Sequence, residues 1–191
     1  PPLIPDLRRL VAPRRCAGGR AAGNHDVFEA RAGLLHRRII GVPRLVLEPR
    51  SSGWFEDNQA GHLYHQISGD FVATTRIEVV GTNAALPKTS FSLAGLFVRA
   101  PREVSAASWT PGQENWLFFS IGTAAPAGAP QYEAKTTMNS LSTLKIIRAQ
   151  TGPVDLRIAR HGELFTLLAR PKGQEWTGID QMIRRELPQV L

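Results

Sequence analysis

Residues 69–80, GDFVATTRIEVV, decide the fold. Phe71, Ala73, Thr75, Ile77 and Val79 fall on one face of an extended chain, and Val72, Thr74, Arg76 and Glu78 on the other. Side chains alternate along a strand with a period of two, so this stretch predicts an antiparallel strand with one face in the core and one in water. Gly69 and Asp70 launch it, with Asp70 capping the turn by accepting backbone N–H bonds. The same texture continues downstream in FSLAGLFVRAP (91–101), NWLFFSIGTA (115–124), QYEAKTTMNS (131–140), STLKIIRAQ (142–150), VDLRIARHG (154–162) and ELFTLLARP (163–171). Gly, Pro, Asn and Ser separate these runs, and the HG at 161–162 marks a tight hairpin. Upstream, RLVLEP (44–49) adds one more strand, ended by Pro49. Only IDQMIRREL (179–187) reads as a short helix. Short strands with regular turns predict an all-β protein, a two-sheet antiparallel jelly-roll sandwich.

The chain of 191 residues is 42% hydrophobic and 20% charged, which suits one globular domain with a single core. No apolar run approaches the roughly 20 residues that a membrane-spanning helix needs. The lone Cys16 has no partner for an internal disulfide, and no Cys and His cluster has metal-site spacing. The formal net charge of +7 is unevenly placed. Residues 1–44 hold nine Arg against three acids, a net of +6, whereas residues 45–191 hold fourteen Lys and Arg against thirteen acids, a net of +1. Basicity therefore belongs to an irregular N-terminal arm, 1–43, and the sandwich, 44–191, is near neutral. Such an arm attracts polyanions weakly and without sequence choice. With no helix-turn-helix, zinc-finger or RNP pattern behind it, no specific nucleic-acid binding is expected. The arm lacks the layout of a secretory signal, which leaves two compartments: extracellular or periplasmic if a leader has been removed, cytoplasmic otherwise.

The segments LVLEPRSSGW (45–54), GDFVATTRIEV (69–79), AGLFVRAP (94–101), ENWLFFSIG (114–122) and VDLRIARHGELFTLLAR (154–170) together resemble the concanavalin A-like lectin/glucanase superfamily of jelly rolls. They look most like its bacterial members of unassigned function. The resemblance covers about three quarters of the chain, residues 45–187. It implies the fold more than an activity, since this fold hosts lectins, glycosidases, lyases and non-catalytic modules. The chain departs from the family at both ends. Residues 1–43 do not look like its opening strand, and its last strand, expected just after LPQVL (187–191), is missing, which leaves a sheet edge open to a partner chain.

Glycoside hydrolysis takes two carboxylates across the scissile bond. The glucanases of the superfamily carry theirs on one strand as Glu-x-Asp-x-Glu, and no such triplet occurs here. This weighs against an enzyme and leaves Glu133 as the single catalytic candidate. Assigning faces to the strands suggests instead a concave polar groove lined by Arg99, Trp116, Glu133, Lys135 and Arg157, with Trp54 as a further aromatic platform. Glycan recognition uses this mixture: planar hydrogen-bonding side chains for hydroxyls, and an aromatic face for the C–H side of a pyranose. The competing account is cross-strand charge pairing on a solvated face, because Arg76 with Glu78, Glu133 with Lys135 and Asp155 with Arg157 alternate in sign. Trp54 serves equally well as a plug at one end of the sandwich. His62, Tyr64 and His65 read as surface or satisfied core side chains.

Asp57, in EDNQ at 56–59, is the one metal candidate. Some members of the superfamily bind Ca²⁺ through Asp and Asn oxygens, although the spacing of a defined Ca²⁺ loop is lacking here. The functional expectation is a non-catalytic module that binds a glycan. The alternatives are a polysaccharide hydrolase of the same fold, and a structural protein that docks a partner through its basic arm and open sheet edge.

Overall fold

The structure, a computed structural model, describes residues 47, 53–58, 60, 62–102 and 108–191. The arm at 1–43, and the first expected strand apart from Leu47, lie outside the described residues. Eight strands follow in chain order: β1 (Phe71–Ile77), β2 (Ser92–Arg99), β3 (Trp116–Thr123), β4 (Gln131–Met138), β5 (Leu141–Arg148), β6 (Val154–His161), β7 (Leu164–Pro171) and β8 (Thr177–Ile183). They make two antiparallel four-stranded sheets, ordered β1-β6-β7-β8 and β2-β3-β4-β5. The all-β class expected from alternation therefore holds, in a sandwich-like arrangement. No helix among the described residues is long and apolar enough to cross a membrane.

Two residues join β4 to β5 and two join β6 to β7, so these two hairpins need tight turns. Asn139 and Ser140, between β4 and β5, both have positive φ (49° and 63°), as a type I′ turn demands. Gly162 (φ 59°) supplies the left-handed residue of the expected HG hairpin. Gly122 answers a different need: a Cβ there would sit 2.1 Å from the Ser92 carbonyl oxygen, so only glycine lets β2 and β3 approach this closely.

The inward faces share one apolar core. Phe71, Leu156, Ile158, Phe165 and Leu167 come from one sheet, and Leu117, Phe119, Ile121 and Tyr132 from the other. Ala73, Ile77 and Val79 pack against this cluster, so residues 69–80 present the face their alternation predicts.

The helix expected at 179–187 is absent; most of that stretch forms β8 instead. Its register against β7 shifts between Leu167 and Leu168, which leaves Ile179 as an extra residue on β8. This β-bulge lets both Ile179 and Met182 pack on the core. Apolar residues three apart imitate helical spacing, and here a bulge in a strand creates that spacing. Beyond β8 the chain turns back, and residues 189–191 run antiparallel to residues 67–69. Ile67 N–H donates to the Leu191 carbonyl at 2.7 Å, Leu191 N–H to that of Ile67 at 2.8 Å, and Gly69 N–H to that of Gln189 at 2.9 Å. The strand-like character of the last residues is thus used to pair with the entry to β1.

Core and edge positions should separate cleanly in urea unfolding. Leu167→Ala removes a fully buried side chain and should cost about 2–5 kcal/mol. Leu141→Ala, at a side chain standing largely in solvent, should change stability by less than about 0.5 kcal/mol. Similar losses at the two positions would contradict this assignment of the core.

Candidate functional site

Alternate residues of a strand share a face. The face of the β2-β3-β4-β5 sheet turned away from the core therefore carries Phe97 and Arg99 from β2, Trp116, Phe118 and Ser120 from β3, and Glu133 and Lys135 from β4. The register sets Arg99 beside Trp116, Phe118 beside Lys135, and Ser120 beside Glu133. Four of the expected groove residues, Arg99, Trp116, Glu133 and Lys135, thus do lie on one face. That face is covered, however: Trp116 and Glu133 are 0% exposed, and Trp54 above them is 7% exposed.

Trp54 is the cover. Its ring lies 4.5 Å from that of Phe97, tilted by 35°, and meets Trp116 edge-on at 6.0 Å. His62 packs edge-on against Trp54 at 5.4 Å, and burial, with the nearby Arg99 charge, lowers the His62 pKa below its ordinary value. The segment is fixed by a four-residue turn, in which Phe55 and Asn58 exchange backbone hydrogen bonds and Glu56 adopts positive φ. Within that turn the Asp57 carboxylate accepts the Gly112 N–H at 3.1 Å and the Ser140 hydroxyl. The oxygens considered for a cation therefore anchor the turn to two other loops. No three His, Cys, Asp or Glu side chains converge as a metal site among the described residues.

Arg99 is equally committed. Its Nε and Nη2 donate to Glu114 at 3.0 and 2.9 Å, and Arg102 Nη1 donates to the same carboxylate at 2.6 Å. The Arg99 guanidinium also lies 5.5 Å from the Trp54 ring centre, a cation–π distance. Lys135 Nζ sits 2.9 Å from Glu133 Oε1 and donates to the Trp54 carbonyl at 3.1 Å. Glu133 Oε2 and the neighbouring Ser120 hydroxyl make no hydrogen bond among the described residues. A carboxylate buried against an ammonium, with no path to solvent, is out of reach of a polysaccharide.

Arg157, the fifth groove residue, belongs to the other sheet. The outward face of β1-β6-β7-β8 carries Thr74 and Arg76 from β1, Asp155 and Arg157 from β6, Thr166 and Arg170 from β7, and Gln181 from β8. Trp176, just before β8, lies over two of these side chains. The guanidinium carbon of Arg157 is 4.0 Å from the ring centre and that of Arg170 is 4.7 Å. Asp155 is shared: Arg76 donates to it at 2.7 and 3.1 Å, and Arg170 at 3.1 and 2.7 Å. The hydrogen bonds from Arg76 and then from Arg170 hold the Asp155 pKa below its ordinary value against the opposing effect of desolvation. Among the described residues no carboxylate hydrogen-bonds Arg157; its Nε donates to the Thr74 hydroxyl at 3.0 Å. At the end of this sheet Asp70 accepts the Gly162 N–H at 2.7 Å, so it caps the β6–β7 hairpin rather than the turn at the start of its own strand, and it lies 2.8 Å from His161.

Sequence reasoning missed Trp176 and Arg170. A tryptophan inside the polar stretch KGQEW (172–176) is the available signal, because an apolar ring in a turn has to rest on something. Comparisons with family models, curated proteins and solved structures find no match.

If Glu114 holds the end of the sheet together, Glu114→Gln should lower stability by about 3 kcal/mol or more, as loss of one partner from a buried ion pair does. Glu163→Gln, which breaks the exposed pair with Arg185, should cost less than about 1 kcal/mol. Equal unfolding midpoints for the two variants would overturn the structural role of Glu114.

Proposed function

We propose that the chain is a concanavalin A-like jelly roll acting as a non-catalytic glycan-binding module, with its contact surface on the outward face of the β1-β6-β7-β8 sheet. The observation that carries this reading is Trp176, a half-buried indole laid over two guanidiniums on a polar face that nothing among the described residues covers. An aromatic ring backed by fixed side chains gives a pyranose a flat partner that loses little entropy on binding. Around it Thr74, Thr166 and Gln181 supply hydroxyl and amide groups, and Gln181 is already oriented by donating to Thr166 at 3.0 Å. Glycan sites combine such elements: one apolar platform and a few polar groups in fixed positions.

Arg157 keeps the ligand-facing role expected of it. Arg99, Trp116, Glu133, Lys135 and Trp54 act from inside, as the packing and ion pairs that stiffen the opposite sheet. The burial of Glu133 against Lys135 favours binding without hydrolysis.

A broad glycan array probed with the full chain tests the proposal. At least one glycan should bind, and Trp176→Ala should weaken that binding at least about tenfold, the loss of roughly 1.4 kcal/mol of contact, with an unchanged unfolding midpoint. A folded wild-type chain that binds nothing on the array, or a Trp176→Ala variant that binds as wild type does, would rule it out.

A further inference from the structure

We infer that the ligand of this face is acidic, and that Arg157 forms a subsite for an oxyanion, a sulfate or a carboxylate carried on a glycan. The inference rests on the binding-module reading above and adds the chemical class of the ligand. Three guanidiniums, those of Arg76, Arg157 and Arg170, project from the strands of this face; one carboxylate of those strands, Asp155, stands among them, and Glu78 follows just past the end of β1. The Asp155 carboxylate is taken, because Arg76 binds it through two nitrogens and Arg170 donates to it through two more. Among the described residues Arg157 is left with a single hydrogen bond, from Nε to the neutral Thr74 hydroxyl. Its two terminal amino groups donate to no acceptor among the described residues.

The surroundings of Arg157 sharpen the point. Partial burial beneath Trp176 and the like charge of Arg170 both disfavour its cationic form, and Asp155, whose oxygens are bound by Arg76 and Arg170, offsets them only in part. The planar fork of a guanidinium matches a carboxylate or sulfate through paired N–H bonds, and contact with the indole at 4.0 Å and the bond to Thr74 restrict that fork in advance. A glycan whose ring rests on Trp176 and whose acidic substituent reaches Arg157 would satisfy both groups at once.

The source of the oxyanion is settled by titration of the full chain at physiological salt. Calorimetry would compare a sulfated galactan oligosaccharide, its chemically desulfated neutral form, a polyuronate oligosaccharide, and a single-stranded oligonucleotide of matched charge. At least one acidic glycan should bind about tenfold or more tightly than the neutral one, in keeping with hydrogen bonds to a charged group. Arg157→Gln should remove that advantage, Arg157→Lys should keep part of it, and both variants should unfold at the wild-type midpoint.

The inference fails, while the glycan reading survives, if the neutral galactan binds as well as the acidic glycans and Arg157→Gln changes nothing. It also fails if acidic glycans bind but lose no affinity in Arg157→Gln and Trp176→Ala, since the binding then lies elsewhere, on the basic arm for example. Equal or tighter binding of the oligonucleotide, with the same dependence on Arg157, would identify a nucleic acid and overturn it. If none of these probes binds, the inference and the glycan reading fall together.

Discussion

Two guanidiniums closed on one buried carboxylate, Arg99 and Arg102 on Glu114, hold the arrangement on which the rest depends. Burying a carboxylate is costly unless it is paired and hydrogen-bonded, so Glu114 holds both arginines in place. Arg99 then stands beneath Trp54 and gives that indole a cation to rest on. The Glu114 N–H donates to the Ser140 hydroxyl, which in turn donates to Asp57, the residue that anchors the turn carrying Trp54. The charge cluster and this chain of hydrogen bonds together hold the aromatic roof over the outer side of the β2-β3-β4-β5 sheet.

The two outward faces differ as a result. On the roofed face the polar residues are internal: Glu133 and Lys135 neutralise each other, and Lys135 is bonded to the Trp54 carbonyl. On the other face no roof is present among the described residues, and the charges do not balance. Asp155 satisfies Arg76 and Arg170, and Arg157 relies on a hydroxyl and an indole. A sheet face that needed only stability would gain from a second acid next to Arg157. Among the described residues no carboxylate hydrogen-bonds Arg157, which leaves its terminal amino groups without an acceptor beside an aromatic platform, and this physical asymmetry underlies the assignment of the binding surface.

Much of the fold was legible because period-two patterning survives in most strands, as the inward Phe71, Ala73 and Ile77 show. β8 escaped because one bulged residue, Ile179, shifted its apolar spacing from two to three. The site was only half legible. Alternation places Arg99, Trp116, Glu133 and Lys135 on one face, but it carries no information on whether a distant segment will lie across that face. Trp54 comes from a loop, and its position follows from long-range bonds through Asp57 and Lys135 that no local pattern encodes. Trp176 was hidden for the same reason: its partners Arg157 and Arg170 belong to other strands, and only the β6–β7 pairing brings them together beneath it.

The central claim is that recognition belongs to the Trp176 face and that the Trp54 and Trp116 face is structural. The chain has four tryptophans, Trp54, Trp109, Trp116 and Trp176, and each gives its own indole N–H signal. An NMR titration of those four signals with an acidic oligosaccharide tests the claim most directly. The account predicts that the Trp176 signal shifts in proportion to occupancy while those of Trp54 and Trp116 stay in place. Shifts at Trp54 and Trp116 with a stationary Trp176 would contradict it and return the site to the opposite sheet.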